Sequence, residues 1–260
     1  MCLILFAIDA HPDYDLIVAA NRDEFYARPT EPAHIWSDPP WMIAGKDLEG
    51  GGTWLGLDVH GRLAMLTNFR DLKNIRQDAP SRGALVSDYF KANKSSSEYL
   101  ESVDQISAQY NGFNLLCADP EGMFYYGNYE GQVRPVTAGI HGLSNALLND
   151  DWPKVERGRS ELAALIAGDV SIYGLMELLY NDSKAVDHKL PDTGVGLEME
   201  RMLSPMFIKS ETYGSRTSSV ILKSRKGQVT FLERTYDTST YSYRDRLFEF
   251  RTEQARRLKR

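Results

Sequence analysis

Cys2 stands directly after the initiator methionine and opens the apolar run Cys2-Leu3-Ile4-Leu5-Phe6-Ala7-Ile8. Methionine is commonly trimmed before a small residue, and trimming here would put a thiol and a free α-amine on one residue. An α-amine titrates near about 7.7–8.0 and a thiol near about 8.5. The amine is then a poised base beside a good nucleophile, the chemistry of an N-terminal nucleophile. The competing reading is a small buried hydrophobe opening a strand. A turn-forming segment, His11-Pro12-Asp13-Tyr14-Asp15, leads to a second apolar run, Leu16-Ile17-Val18-Ala19-Ala20, and then to Asn21-Arg22-Asp23-Glu24. This pattern predicts a β-hairpin. Antiparallel pairing brings the end of the second strand beside the start of the first, so Arg22 and Asp23 are expected close to Cys2. An arginine there favours a thiolate, and an aspartate can hold or orient the amine. A solvated charged turn is the alternative.

Amide hydrolysis also needs a donor for the developing oxyanion. Asn68 and Asn145 each follow a short apolar segment, where a strand end can project an amide into a cleft. Both could equally bond turn backbone. The run Gly50-Gly51-Gly52-Thr53-Trp54 lacks the P-loop lysine. It reads as close backbone packing beside a cleft, with Trp54 as an apolar wall. The five histidines are scattered without zinc-site spacing, so no metal site is expected. Haem ligation by Cys2, a histidine or a methionine has no reliable signature without the c-type attachment motif.

Met1-Cys2-Leu3-Ile4 followed by Asn21-Arg22-Asp23-Glu24 resembles the NRDE family, also called the transport-and-Golgi-organisation protein 2 family. Further matching stretches are Gly51-Gly52-Thr53-Trp54-Leu55-Gly56, Leu66-Thr67-Asn68-Phe69-Arg70, Gly142-Leu143-Ser144-Asn145-Ala146, Trp152-Pro153-Lys154-Val155 and Ser215-Arg216-Thr217-Ser218-Ser219. They extend over nearly the whole chain. The resemblance implies an N-terminal-nucleophile hydrolase fold and a link to haem trafficking and lipid homeostasis. Asn145 is similar to the asparagine position of cysteine-type bile-acid and penicillin acylases, and Arg216 to a late arginine of those enzymes. The adjacency of Arg22 and Asp23 departs from the acylase spacing. The site expected from residues and resemblance together is Cys2, Arg22, Asp23, Asn68, Asn145 and Arg216 for catalysis, with Asn21, Glu24 and Trp54 binding substrate. Two functions compete: a cysteine amidohydrolase for a small, partly apolar non-peptide amide, and a carrier of haem or a lipid-like ligand in the same cleft. No cofactor is required by the first; haem is a ligand in the second.

The chain has 260 residues, 42% hydrophobic, with a net charge of −6. That balance argues against nucleic acid as the main partner. The short basic run Arg256-Arg257-Leu258-Lys259-Arg260 reads as a solvated tip. With Cys2 and Cys117 alone, a disulfide framework is not expected, and the chain suits a reducing, cytoplasmic compartment. No apolar stretch approaches the roughly 18–20 residues of a membrane span. Oligomeric state is open.

The pattern predicts strands at 53–58, 62–68, 113–118, 123–127, 132–137, 216–223 and 228–236, with an edge strand at 247–250. Helices are expected at 81–93, 152–167 and 172–180. Another opens at Ser95, capped with Glu98, and should bury Leu100, Val103, Ile106 and Tyr110. Residues 182–210 read as a long loop with a short helix, a lid candidate. Strands, helices and strands again indicate one α+β domain over 1–260. The resemblance makes it a four-layer αββα sandwich of two antiparallel sheets with outer helices. Trp36, Trp41 and Trp54, with fourteen tyrosines, suggest an aromatic-lined pocket.

Overall fold

A computed structural model describes residues 2–252. The basic run at 256–260 lies outside the described residues. In chain order the strands are β1 (Cys2–Ile8), β2 (Tyr14–Phe25), β3 (Thr30–Ser37), β4 (Pro40–Asp47), β5 (Leu55–Asp58), β6 (Leu63–Asn68), β7 (Phe113–Asp119), β8 (Gly122–Gly127), β9 (Arg134–Pro135), β10 (Gly139–Leu143), β11 (Tyr213–Ser224), β12 (Gln228–Tyr236) and β13 (Tyr243–Arg251). The helices are α1 (Ala84–Lys91), α2 (Ser96–Asp104), α3 (Pro153–Ile166), α4 (Ile172–Leu179) and α5 (Leu197–Leu203).

Side-chain alternation along β1 explains the layering. Ile4 and Phe6 enter a core shared with Val18, Met65, Leu116 and Phe231. Leu3, Leu5 and Ala7 point the other way, against Val155 and Leu162 of α3 and Leu175 and Leu179 of α4. A strand buried on both faces reads as an unbroken apolar run, as β1 does. The first sheet has the order β10-β1-β2-β11-β12-β13; the second is a meander, β3 through β9. Pairing is antiparallel in both. On the outer face of the second sheet, Leu85, Val86 and Tyr89 of α1 and Leu100 and Val103 of α2 cover Leu115, Cys117 and Tyr126. The result is the four-layer αββα sandwich.

Most elements fall where the pattern places them, and the differences have causes. The Ser95–Glu98 capping box forms. The helix it opens stops at Asp104, so Leu100 and Val103 are buried while Ile106 stays 39% exposed. Strands β3 and β4 carry prolines, turn residues and little strict alternation, and nothing in the pattern announced them. The strand expected over 132–137 shrinks to Arg134–Pro135. Strand β2 runs on through Asn21-Arg22-Asp23-Glu24, so this segment is paired and mostly buried strand, not a solvated turn. Among the described residues, no helix is long and apolar enough to cross a membrane.

Two contacts set the position of β1 and of the sheets. Helix α3 lies close over β1 because Gly158 has no side chain: a Cβ there would sit 2.6 Å from Leu5. Across the sandwich, buried Glu233 of β12 accepts the Ala33 N–H of β3 at 2.5 Å, and Arg246 of β13 donates to the Ala33 carbonyl at 2.9 Å. Burial pushes the Glu233 carboxyl up to about 7.

Gly158→Val is expected to cost about 1–3 kcal/mol by overpacking, read as a lower urea midpoint with an unchanged m-value. The Glu233 shift predicts a pH signature. An unfolded glutamate titrates near about 4.3, below its folded value of about 7. The stability linked to this group is therefore fully present below the unfolded pKa and is lost as pH rises through the folded one. Relative to Glu233→Gln, the wild-type protein should lose urea resistance between pH 5 and pH 8; parallel curves would refute this.

Candidate active site

The β1–β2 register pairs Cys2 with Arg22. Strand β2 pairs in turn with β11, where a bulge between Ser215 and Thr217 lets Ser215 oppose Asp23 and Thr217 oppose Arg22. Asp23 is buried, and the Ser215 hydroxyl donates to its Oδ1 at 2.5 Å. Cys2 is half-buried and lines a cleft of about 350 Å³ at the end of the sandwich. Arg22, Asp23, Glu24, Trp54 and Asn68 share that lining.

Arg22 and Glu24 are held by named partners. The Arg22 guanidinium stacks 4.2 Å over the Trp54 ring and donates to Thr30 Oγ1 and, at 3.3 Å, to Asp47. Glu24 lies 3.9 Å from both Arg22 and Arg28 and accepts the Phe25 N–H. Burial raises the Cys2 thiol pKa and the Asp23 carboxylate adds to it, while Arg22 and the Asp23 backbone N–H oppose.

Three expected residues occupy other places. Asn21 points to the helical side of β2: its amide donates to the Leu179 and Met206 carbonyls, each at 2.8 Å, and its Oδ1 accepts from Ser218. It ties strand to helix and takes no part in lining the cleft. Asn145 is fully buried; its amide donates to the Asn68 carbonyl at 2.8 Å and its carbonyl accepts the Arg70 N–H at 2.7 Å. Neighbouring Ser144 donates to the Cys2 carbonyl at 3.0 Å. Asn145 thus braces Asn68, and Ser144 braces Cys2, from behind. Arg216, the bulge residue, donates to the carbonyls of Phe25 and Arg28 and clamps the β2–β3 turn near Arg22.

The aromatic wall reduces to Trp54. Trp36 is buried with its indole N–H on the Ala44 carbonyl, and Trp41 is 60% exposed. Residues 182–210 contribute nothing to the cleft lining among the described residues. Instead α5 supplies buried Glu200, bound to Arg70 at 2.7 Å, while Met206, Phe207 and Ile208 are core. The loop at 79–83 does line the cleft, packed on the Gly50–Thr53 turn. A side chain on Gly52 would collide with the Gly83 carbonyl.

Residue type alone does not single out Lys154, although it lies inside the Trp152-Pro153-Lys154-Val155 stretch. It is 3% exposed in the first turn of α3, and its Nζ has no hydrogen-bond partner among the described residues. Burial lowers its pKa to about 8 against the attraction of Asp23; Cys2, Arg70 and Glu200 also act on it. Asp23 is raised by its own burial and held down chiefly by Lys154. The signal was present in the spacing: 154, 158 and 162 share one helix face with the apolar positions.

Two antiparallel sheets between helical layers, with a cysteine opening an interior strand onto a cleft, make up an N-terminal-nucleophile hydrolase-like fold. A Caenorhabditis elegans N-acylethanolamine-hydrolyzing acid amidase ortholog shares the fold with a TM-score of 0.50 at 10% identity, over 85% of this chain and 92% of that one. The chain belongs to the Transport and Golgi organisation 2 family, whose model matches residues 1–238. The Homo sapiens homolog is 36% identical over 96% of this chain and 99% of its own length. The Mus musculus homolog is 35% identical over the same shares, and the Drosophila melanogaster protein 31% over 90% and 92%.

Lys154→Met is expected to move the pH midpoint of Cys2 alkylation upward, because an ammonium favours the nearby thiolate. The change should be largest below about pH 8, where Lys154 carries its charge. Lys154→Arg should restore the profile. Iodoacetamide labelling read by mass spectrometry gives the curve, and superimposable wild-type and Met profiles would exclude the coupling.

Proposed function

We propose that this protein is a cysteine hydrolase acting on the C–N bond of a small amide held in the cleft. The observation that carries the reading is the placement of Cys2. It is a half-buried thiol at the start of an interior strand, in register with Arg22 and opening onto a cleft within the roughly 300–1,000 Å³ range of small-molecule sites. The name of the amidase sharing this fold points to the same reaction class.

The residues divide the work as follows. After loss of Met1, the α-amine takes the thiol proton and the sulfur attacks the amide carbonyl. Asn68, a cleft-lining amide at the end of β6, donates to the oxyanion. Collapse of the tetrahedral adduct breaks the C–N bond; the leaving amine takes the proton, and water cleaves the resulting thioester to release the acid. Asp23, fixed by Ser215 and charge-balanced by Lys154, orients the amine. Trp54 and Leu66 receive the apolar part of the acyl group, and the charged walls receive the rest. The carrier reading is less well served. No histidine or methionine lines the cleft among the described residues, so a haem there would rest on Cys2 alone.

In a screen of small amides, the Met1-trimmed protein should release amine and acid, with Cys2→Ser losing about 100-fold or more of turnover, a loss at the scale of a catalytic group. Iodoacetamide should label Cys2 well ahead of fully buried Cys117. Equal inertness of the two thiols, or undiminished turnover in Cys2→Ser, would overturn the hydrolase assignment.

A further inference from the structure

Three guanidinium groups line the cleft, and two are neutralised by the protein itself. Arg28 bonds Asp47 at 2.7 Å and Glu49 at 3.0 Å, and Arg22 bonds Asp47 at 3.3 Å. Arg82 differs. Among the described residues no carboxylate comes within ion-pair distance of it, and its hydrogen bond is from NH1 to the Gly112 carbonyl at 2.9 Å. A guanidinium has five N–H donors in a planar fork, so one carbonyl leaves most of that capacity unspent. We propose that Arg82 is the anion-binding residue of the cleft and that the substrate is a small amide bearing a carboxylate, seated on Arg82 while its amide carbonyl meets Cys2. This substrate class rests on the reading of Cys2 as nucleophile.

Two further features support it. The loop carrying Arg82 is fixed before any ligand arrives. Thr53 N–H donates to the Gly83 carbonyl at 3.2 Å, the Gly50–Gly52 backbone lies directly against Ser81 and Gly83, and Gly112 anchors the guanidinium from the far side. Preorganisation of this kind removes ordering cost at binding. Burial also lowers the Arg82 pKa and neighbouring Arg28 adds to this, against the attraction of Glu24 and Cys2, both cleft residues. A carboxylate placed there would supply the balance, with the bidentate geometry arginine favours.

Iodoacetate and iodoacetamide alkylate the same sulfur and differ in charge, so the ratio of their rates at Cys2 reports anion recruitment while cancelling changes in the thiol itself. Arg82→Gln should lower the iodoacetate-to-iodoacetamide ratio roughly tenfold at low ionic strength, the scale of a charge-assisted hydrogen bond. Arg82→Lys should retain part of it. An unchanged ratio, or both rates falling together, would overturn the proposal. If Arg82→Gln does not fold, Arg82→Lys decides alone: a partial fall supports, none refutes. If wild-type Cys2 resists both reagents, the nucleophile reading fails, and the anion site is then judged by thermal melting with benzoate against benzamide. A saturable benzoate-specific rise in wild type that Arg82 variants lose upholds the site; equal responses to benzoate and benzamide reject it.

Discussion

The arrangement depends on the register of one strand pair. Strand β1 is buried on both faces, so a slip of one residue against β2 would turn Leu3 and Leu5 away from the helices and Ile4 and Phe6 out of the core between the sheets. Residue-specific packing on both faces, with Gly158 seated on Leu5, holds that register, and the register places Cys2 opposite Arg22 at the strand end. Close seating of α3 on Leu5 through Gly158 then delivers Lys154, four residues earlier on the helix, to the rear of the site. The cysteine's surroundings are thus by-products of core packing carried to the edge of the sheet, where the core gives way to a cleft.

Behind the cleft, Asp23, Lys154, Arg70 and Glu200 form a balanced buried charge group drawn from β2, α3, the segment after β6, and α5. Desolvating four charges is expensive, and mutual attraction repays it only with good geometry and added hydrogen bonds. Several such bonds are in place: Ser215 donates to Asp23, and Arg70 and Thr193 donate to Glu200. Arg70 also lies 4.5 Å over the Trp152 ring, beside the first turn of the helix that brings Lys154. Glu200 of the 182–210 segment thus supplies the carboxylate that balances Arg70 at the site's rear, and the core residues of that segment, Leu203 and Met206 to Ile208, lie at its C-terminal end.

Local rules made some of this legible. A doubly buried strand, an Asx-rich turn and a polar second strand end placed Cys2, Arg22 and Asp23 together, because hairpin geometry is local. The Ser95–Glu98 capping box is likewise visible in four residues. Other sites were misjudged for a physical reason. Asn21 and Asn145 have the residue type of ligand-binding amides, yet their partners are the Leu179, Met206 and Asn68 carbonyls, far away in sequence. An amide does not reveal whether it faces a ligand or a backbone group.

Sequence alone determined the α+β alternation, the hairpin that opens the chain and the identity of its nucleophile candidate, since each follows from spacing over a few residues. Family resemblance supplied the count of layers. Only the tertiary structure decided which charges surround the thiol. Lys154, Arg82, Arg70 and Glu200 lie 68 to 198 positions from Cys2 along the chain, and what brings them to one end of the sandwich is the meeting of two sheets and a helix. Burial and distance then set their charge states, and those quantities exist only once the layers have closed.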